Sequence, residues 1–341
     1  MSAPMILFTL ATLLPILLIG AAGLWGGVWV VAALVYMTAM TAALDVTVKR
    51  ITPPAPESEF PVANRLSVVL ALGHFALLAA TVAALSGERT GVLAKLGTFV
   101  AAGQYFGQVS NANAHELIHR GSRGLHTLGK WVYISLLFGH HTSAHVLVHH
   151  RLVATRDDPS SARRGESLYR FARRAWLGSF RAGYAAETRR LAQIGRAKWR
   201  HPYVVYCGGA VLMMAIALWI GGAIGLFAYI GLAGFATFQL LMSDYVQHYG
   251  LTRRTLATGK PEPVAARHSW NSPHWFSSAL MLNAPRHSDH HAHPSRPYAV
   301  LRLSDGPLLP RSLPVMAGVA LFPRRWRRIM DPLVAKWQAA D

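Results

Sequence analysis

Long uninterrupted apolar stretches fill the first third of the chain and return once after residue 200. Residues 3–22 carry no charge and are long enough to cross a bilayer, which takes about 20 residues. Residues 25–44 follow after a very short glycine-containing turn. Residues 65–86 and 91–110 read as a second hairpin, and residues 202–221 and 223–243 as a third, joined by Gly221-Gly222. The pattern predicts an all-α, polytopic integral membrane protein with six transmembrane helices in three hairpins. The first stretch reads as a span rather than a cleaved leader, because no basic segment precedes it and a second span follows at once. Two polar regions remain. Residues 111–201 predict amphipathic helices lying against the membrane. Residues 244–341, punctuated by Pro261, Pro263, Pro273, Pro285, Pro294 and Pro297, predict short helices and loops. Pro53, Pro54 and Pro56 mark a loop between the first two hairpins. Residues 1–341 are expected to form one domain, with 111–201 and 244–341 as a cap beside the spans.

Composition sharpens this picture. Only 14% of residues are charged, against about 25% in soluble domains, and 52% are hydrophobic. The net charge of +19 first brings nucleic acid to mind. The placement of the charges argues instead for topology, and no nucleic-acid partner is expected. Of 34 Lys and Arg, only Arg89 and Lys95 fall in the loops opposite the termini. The positive-inside rule then puts the termini and both polar regions in the cytoplasm, as in a multi-pass protein of a bacterial-type inner membrane. The basic face also suits anionic membrane lipid or an acidic protein partner.

The chain has 17 histidines and a single cysteine, Cys207. It can build no internal disulfide, thiolate zinc site or cysteine-held iron–sulfur cluster. Any bound metal must rely on imidazole. Four histidine clusters stand out. His115 and His119 in HELIH share one helical face at i, i+4. His145, His149 and His150 lie in AHVLVHH, where α-helical spacing pairs 145 with 149 and turns 150 aside by about 100°. His248 lies in QHYGL, and His287, His290 and His291 in RHSDHHAHP. All fall on the cytoplasmic side of a topology derived without them. Nine imidazoles exceed one four-coordinate zinc and suit two metals of higher coordination number. Imidazole suits Zn, Cu, Fe and Ni alike, so ligand type leaves the metal open. HELIH alone would also fit a zinc protease with Glu116 as base.

The order and spacing of HELIH, HVLVHH, QHYGL, HSWNS and RHSDHHAHP over roughly residues 100–300 resemble the membrane alkane hydroxylases. These are alkane 1-monooxygenases within the fatty-acid desaturase and hydroxylase superfamily. The resemblance implies two Fe ions in a non-haem di-iron centre, held by His115, His119, His145, His149, His150, His248, His287, His290 and His291. It also implies dioxygen, an apolar hydrocarbon substrate, and electrons from rubredoxin or a ferredoxin-type donor. The reaction implied is hydroxylation of a terminal methyl of an n-alkane or of an alkyl-aromatic methyl. A desaturase of the same superfamily, a metal transporter and a protease are the competing classes. The chain departs from the family pattern at Ala144 and Gln247, where Glu is usual, and at Val148, where Gly is usual.

Around the ligands, Asp289, Glu116 and Asp158 are expected to orient imidazoles or brace the fold, with Glu166 beside Asp158. His126, His140, His141, His268, His274 and His293 are expected in supporting roles. His74, within a span, reads equally as functional or as a neutral group bonded to a neighbouring helix. Trp25, Trp29, Tyr36 and Met40 are candidate channel liners, though packing or lipid contact is the commoner role for such residues. Arg170, Arg173, Arg174, Arg181, Arg189 and Arg190 form the densest basic surface for an acidic electron carrier.

Overall fold

The computed structural model describes residues 1–339 and is built from helices joined by short loops. Four helices are long and apolar enough to cross a membrane: Ala3–Trp25 (α1), Gly27–Thr47 (α2), Glu57–Ser86 (α3) and Pro202–His248. Between α3 and the last of these runs a continuous helix over residues 92–118 (α4), then Arg123–Ser135 (α5), residues 141–152 (α6) and Leu168–Gln193 (α7). Pro202–His248 is α8. After it come Trp275–Leu280 (α9), His287–Ala292 (α10), Leu313–Ala320 (α11) and Pro323–Ala339 (α12).

Glycines make the two sharpest reversals. Gly26 and Gly27 take φ of 64° and 52°, which lets α1 turn straight into α2. Within α8, Gly221 and Gly222 leave helical geometry, Gly222 with φ 59°. The arms bend back on each other there: a Cβ on Gly225 would lie 2.8 Å from the carbonyl of Ala217. The sequence places this break at the same Gly-Gly pair.

One apolar core joins α1, α2, α3, α4 and the arms of α8. A second lies under α5, α7, α11 and α12, with Trp326 and Met330 fully buried. The first core reaches into the polar cap at a few points. The Asp45 carboxylate, at the end of α2, accepts from the backbone N–H of Phe276 (2.9 Å) and Ser277 (3.0 Å), at the start of α9. Arg286 donates to the carbonyls of Thr52 and Leu301, holding the proline-rich loop against the segment after α10.

Three helices contain a π-turn, at Tyr36–Met40, Phe106–Ser110 and His145–His149. Such turns insert an extra residue per turn and occur often at functional sites. The last of them overturns one expectation about the histidines.

Candidate metal centre

Nine imidazoles from four helices converge in two adjacent groups. His115, His119, His145, His150 and His290 form one, and His149, His248, His287 and His291 the other. In each group the ligand atoms lie within 4.8 Å of one another. Nε2 of His145 stands 2.8 Å from Nε2 of His115 and 2.9 Å from that of His150. Nε2 of His287 stands 2.9 Å from that of His248 and 3.1 Å from that of His291. His150 and His291 bring the groups together, with ring centroids 4.7 Å apart.

The π-turn decides the partition. At α-helical spacing His145 would share a site with His149. With one extra residue in the turn, His145 instead shares its group with His150, at i+5, and His149 goes to the other. The expectation from 3.6-residue periodicity is corrected here, because the helix does not have that period. HELIH keeps ordinary α geometry up to His119, so His115 and His119 meet as expected. His287 and His291 share a group at i, i+4, and His290 faces the other.

The donor set fits metal. Two nitrogens at right angles around an ion, each bonded at about 2.1 Å, lie about 3 Å apart, close to the spacing seen here. Burial, and then mutual repulsion among the rings, holds His119, His145, His150, His287, His290 and His291 well below the ordinary value of 6.5. These rings are therefore neutral, with a lone pair free for an ion. His149 differs. Burial alone would lower it, but Asp158 overrides burial and raises it. Its Nδ1 donates to Asp158 at 2.8 Å, which leaves a buried Nε2 with no hydrogen-bond partner, turned to the cluster. Asp158 in turn accepts from Ser160 N and Ser161 Oγ.

The other two expected carboxylates bond none of the nine rings. Asp289 pairs with Arg296 and accepts from Arg302 N (2.8 Å) and His293 Nδ1 (3.2 Å), so it ties down the loop after α10. Glu116 pairs with Arg120 at 2.7 Å and accepts from Tyr298 N. Burial, opposed by Arg120, pushes Glu116 up to about 7. A carboxylate engaged this way is not placed as the base of a protease. Glu166 takes Arg174 bidentately at 2.8 and 2.9 Å, so Arg174 is a brace and not a docking residue. His74 is satisfied at both nitrogens by Ser110 (2.9 Å) and Ser135 (2.7 Å), the arrangement of a group bonded to neighbouring helices.

A cavity of about 590 Å³ runs from the histidines His115, His145 and His287 down between α2, α4, α8 and α11. Met37, Ala42, Phe235, Phe238, Leu313 and Val315 supply much of its apolar wall. Trp25, Trp29, Tyr36 and Met40 do not line it. Trp25 and Trp29 face outward, and the Tyr36 hydroxyl donates to the Ala11 carbonyl on α1. The second helix does contribute, through Met37, Thr38, Ala39, Thr41 and Ala42, which flank Tyr36 and Met40 in the same stretch. His141, expected in support, lines the cavity beside His145.

The family pattern described as fatty acid desaturase matches residues 90–310. Alkane 1-monooxygenase 1 of Alcanivorax borkumensis is 36% identical over 275 residues, 79% of this chain and 67% of that protein. Alkane 1-monooxygenase 1 of Pseudomonas aeruginosa is 31% identical over 92% of this chain and 85% of its own length. The chain belongs to the alkane 1-monooxygenase family. Alkane 1-monooxygenase of Pseudomonas putida is 36% identical over 67% of this chain, although the match spans only 57% of that protein. Membership in this family, together with the apolar helices, makes the chain a membrane protein. Two of the three departures from the alkane 1-monooxygenase pattern have local explanations. Ala144 packs under α7, where a Cβ on Gly183 would lie 3.1 Å from the Ala144 Cβ, so a larger side chain has no room. Gln247 keeps a bonded role, accepting from Ser243 Oγ (2.8 Å) and donating to the Ala284 carbonyl (3.1 Å). Nothing in the structure explains Val148.

Proposed function

We propose that this chain hydroxylates an apolar hydrocarbon C–H bond with dioxygen, at a pair of iron ions held by the nine histidines. The observation that carries the reading is the junction of two buried imidazole groups with a largely apolar cavity. When bound, the irons supply dioxygen activation and the oxidising power to break a strong C–H bond. In the net reaction a C–H bond breaks and a C–O bond forms. The second oxygen leaves as water, using a pair of protons and a pair of electrons from the donor. The chain's own residues shape the rest. Asp158 fixes the tautomer of His149, so that Nε2 is the free nitrogen. The cavity wall excludes water and presents the substrate's end to His115, His145 and His287.

Six spans in three hairpins form the membrane part of a single domain over residues 1–341. The charge asymmetry supports an inner-membrane location with the histidines at the cytoplasmic face. Exposed Arg170, Arg173, Arg181 and Arg189 on α7 support docking of rubredoxin or a ferredoxin-type donor. Turnover with the protein donor should then fall more steeply with salt than turnover with a saturating artificial reductant; equal responses remove the docking role.

Purified protein assayed for metal, and for products from octane and from a methyl-arene, tests the central claim. Iron in a near two-to-one ratio and a product heavier by one oxygen are expected. A product lighter by two hydrogens would make the chain a desaturase, and zinc with no oxygenated product would overturn the reading. Cysteines introduced at the exposed positions Arg89 and Asp305 in a Cys207→Ser background test the orientation. An impermeant thiol reagent applied from the outer side should label the first and not the second.

A further inference from the structure

A helix on the surface of a protein in water carries one apolar face, turned to the core. Helix α7 carries two. Phe171, Ala172, Ala175 and Ser179 are buried against the rest of the protein. About a third of a turn away stand Tyr169, Trp176, Leu177, Phe180 and Tyr184, which at about 100° per residue share an arc of about 100°. All five are between 40% and 54% exposed. Single exposed apolar residues are ordinary, but a contiguous row marks a contact surface. Arg173 rises within the row, while Arg170, Arg181 and Arg189 fall outside it and stay available to a soluble partner. The one acid on α7, Glu187, is buried and accepts from Ser143 Oγ on α6 (2.7 Å). The exposed charge of the helix is therefore wholly positive.

The row is continuous with a membrane span. The Phe180 and Tyr184 rings lie 5.0 and 5.2 Å from that of Tyr203, in the first turn of α8, and the Tyr203 hydroxyl donates to the Phe180 carbonyl (2.8 Å). Tyr184 also stacks on His201, at 4.4 Å. Just before α8 stands exposed Trp199, with the Arg200 guanidinium 4.9 Å from its ring, and just after its start Val204 and Val205 are exposed. An aromatic with basic neighbours at the mouth of an apolar helix marks the level of the lipid headgroups. At the other end of the row, Tyr169 donates to the Leu321 carbonyl (2.9 Å), next to exposed Phe322. We propose that α7 lies in the headgroup layer of the leaflet where α8 begins. Its aromatic row is seated on lipid, and Arg173 and Arg200 hold anionic phosphates. The inference is independent of the reaction catalysed. It concerns the metal centre only in that α6, which carries His145, His149 and His150, is held to α7 by Ser143–Glu187 and by His140–Ser179.

The test uses the full chain in nanodiscs of phosphatidylcholine and phosphatidylglycerol, in a Cys207→Ser background. Trp176→Cys places a fluorescent label in the row, and Arg189→Cys places one outside it. Phe180→Cys, one turn on from Trp176, repeats the first measurement should that variant fold poorly. A lipid bearing a nitroxide near its headgroup should quench the row labels about threefold more than the Arg189 label, and aqueous iodide should show the reverse order. Nitroxide-labelled phosphatidylglycerol should quench the row about twofold more than the labelled phosphatidylcholine, an excess that Arg173→Gln reduces. Row labels quenched by iodide and not by lipid overturn the proposal. So do row labels that escape iodide only when the protein electron donor is added, since the row would then be a protein-docking face. Equal quenching by the two labelled lipids overturns the anionic preference.

Discussion

At the residue scale, the imidazoles depend on what lies behind them. His149 and Asp158 form a buried pair whose carboxylate is also held by Ser160 and Ser161. Asp158→Asn should lower metal affinity or activity by about 10- to 100-fold, the usual loss when a partner behind a ligand is removed. Metal content after dialysis, measured beside turnover, checks this. Glu116→Gln provides the contrast. Its carboxylate serves Arg120 and Tyr298 rather than the rings, so metal content should stay near wild type while the protein loses about 1–3 kcal/mol of stability. A variant that folds normally but loses its metal would place Glu116 in the centre after all. The nine rings stood out in the sequence as candidates, with Asp158 as one of three carboxylates offered beside them. The partners of Asp289, and the Tyr298 N–H that donates to Glu116 besides its i+4 neighbour Arg120, were not legible there, because they come from residues 293–302, a loop whose path no local pattern fixes.

At the element scale, the histidine-bearing helix α6 works through its extra residue. Deleting Val146 removes the π-turn and restores ordinary helical spacing, which rotates His149 and His150 relative to His145. The deleted protein should still insert into membrane, since the spans are untouched, but bind little metal; retention of both ions would show that the turn is incidental. The junction of α4 with α5 is equally tight. A Cβ on Gly129 would lie 2.6 Å from the Leu117 Cβ and 2.9 Å from the Ala114 carbonyl. Gly129→Val therefore forces α5 off the helix that carries HELIH. It should cost about 1–3 kcal/mol or more, seen as a lower melting temperature together with reduced metal content.

At the scale of the whole molecule, the cap is fastened to the membrane helices by a few long-range contacts. Asp45 caps α9 from the end of α2, and Arg286 spans the carbonyls of Thr52 and Leu301. Asp45→Ala should destabilise the protein by about 1 kcal/mol, as loss of a helix cap does, and shift α9 together with the Met281 that follows it and lines the cavity. A thermal melt in detergent measures the first effect, and the KM for the hydrocarbon the second. By itself the sequence determined the apolar helices, the Gly-Gly break in α8 and the ring nitrogens available for metal. These follow from runs of one residue type and from side chains with only one strong chemistry. Tertiary structure alone decided which five and which four imidazoles meet, which carboxylate supports them, and which helices enclose the cavity. The partition depends on a one-residue change in helical turn, the supporting carboxylate on the local turn that brings Asp158 back to His149, and the cavity on contacts between segments distant in the chain; no periodicity encodes any of them.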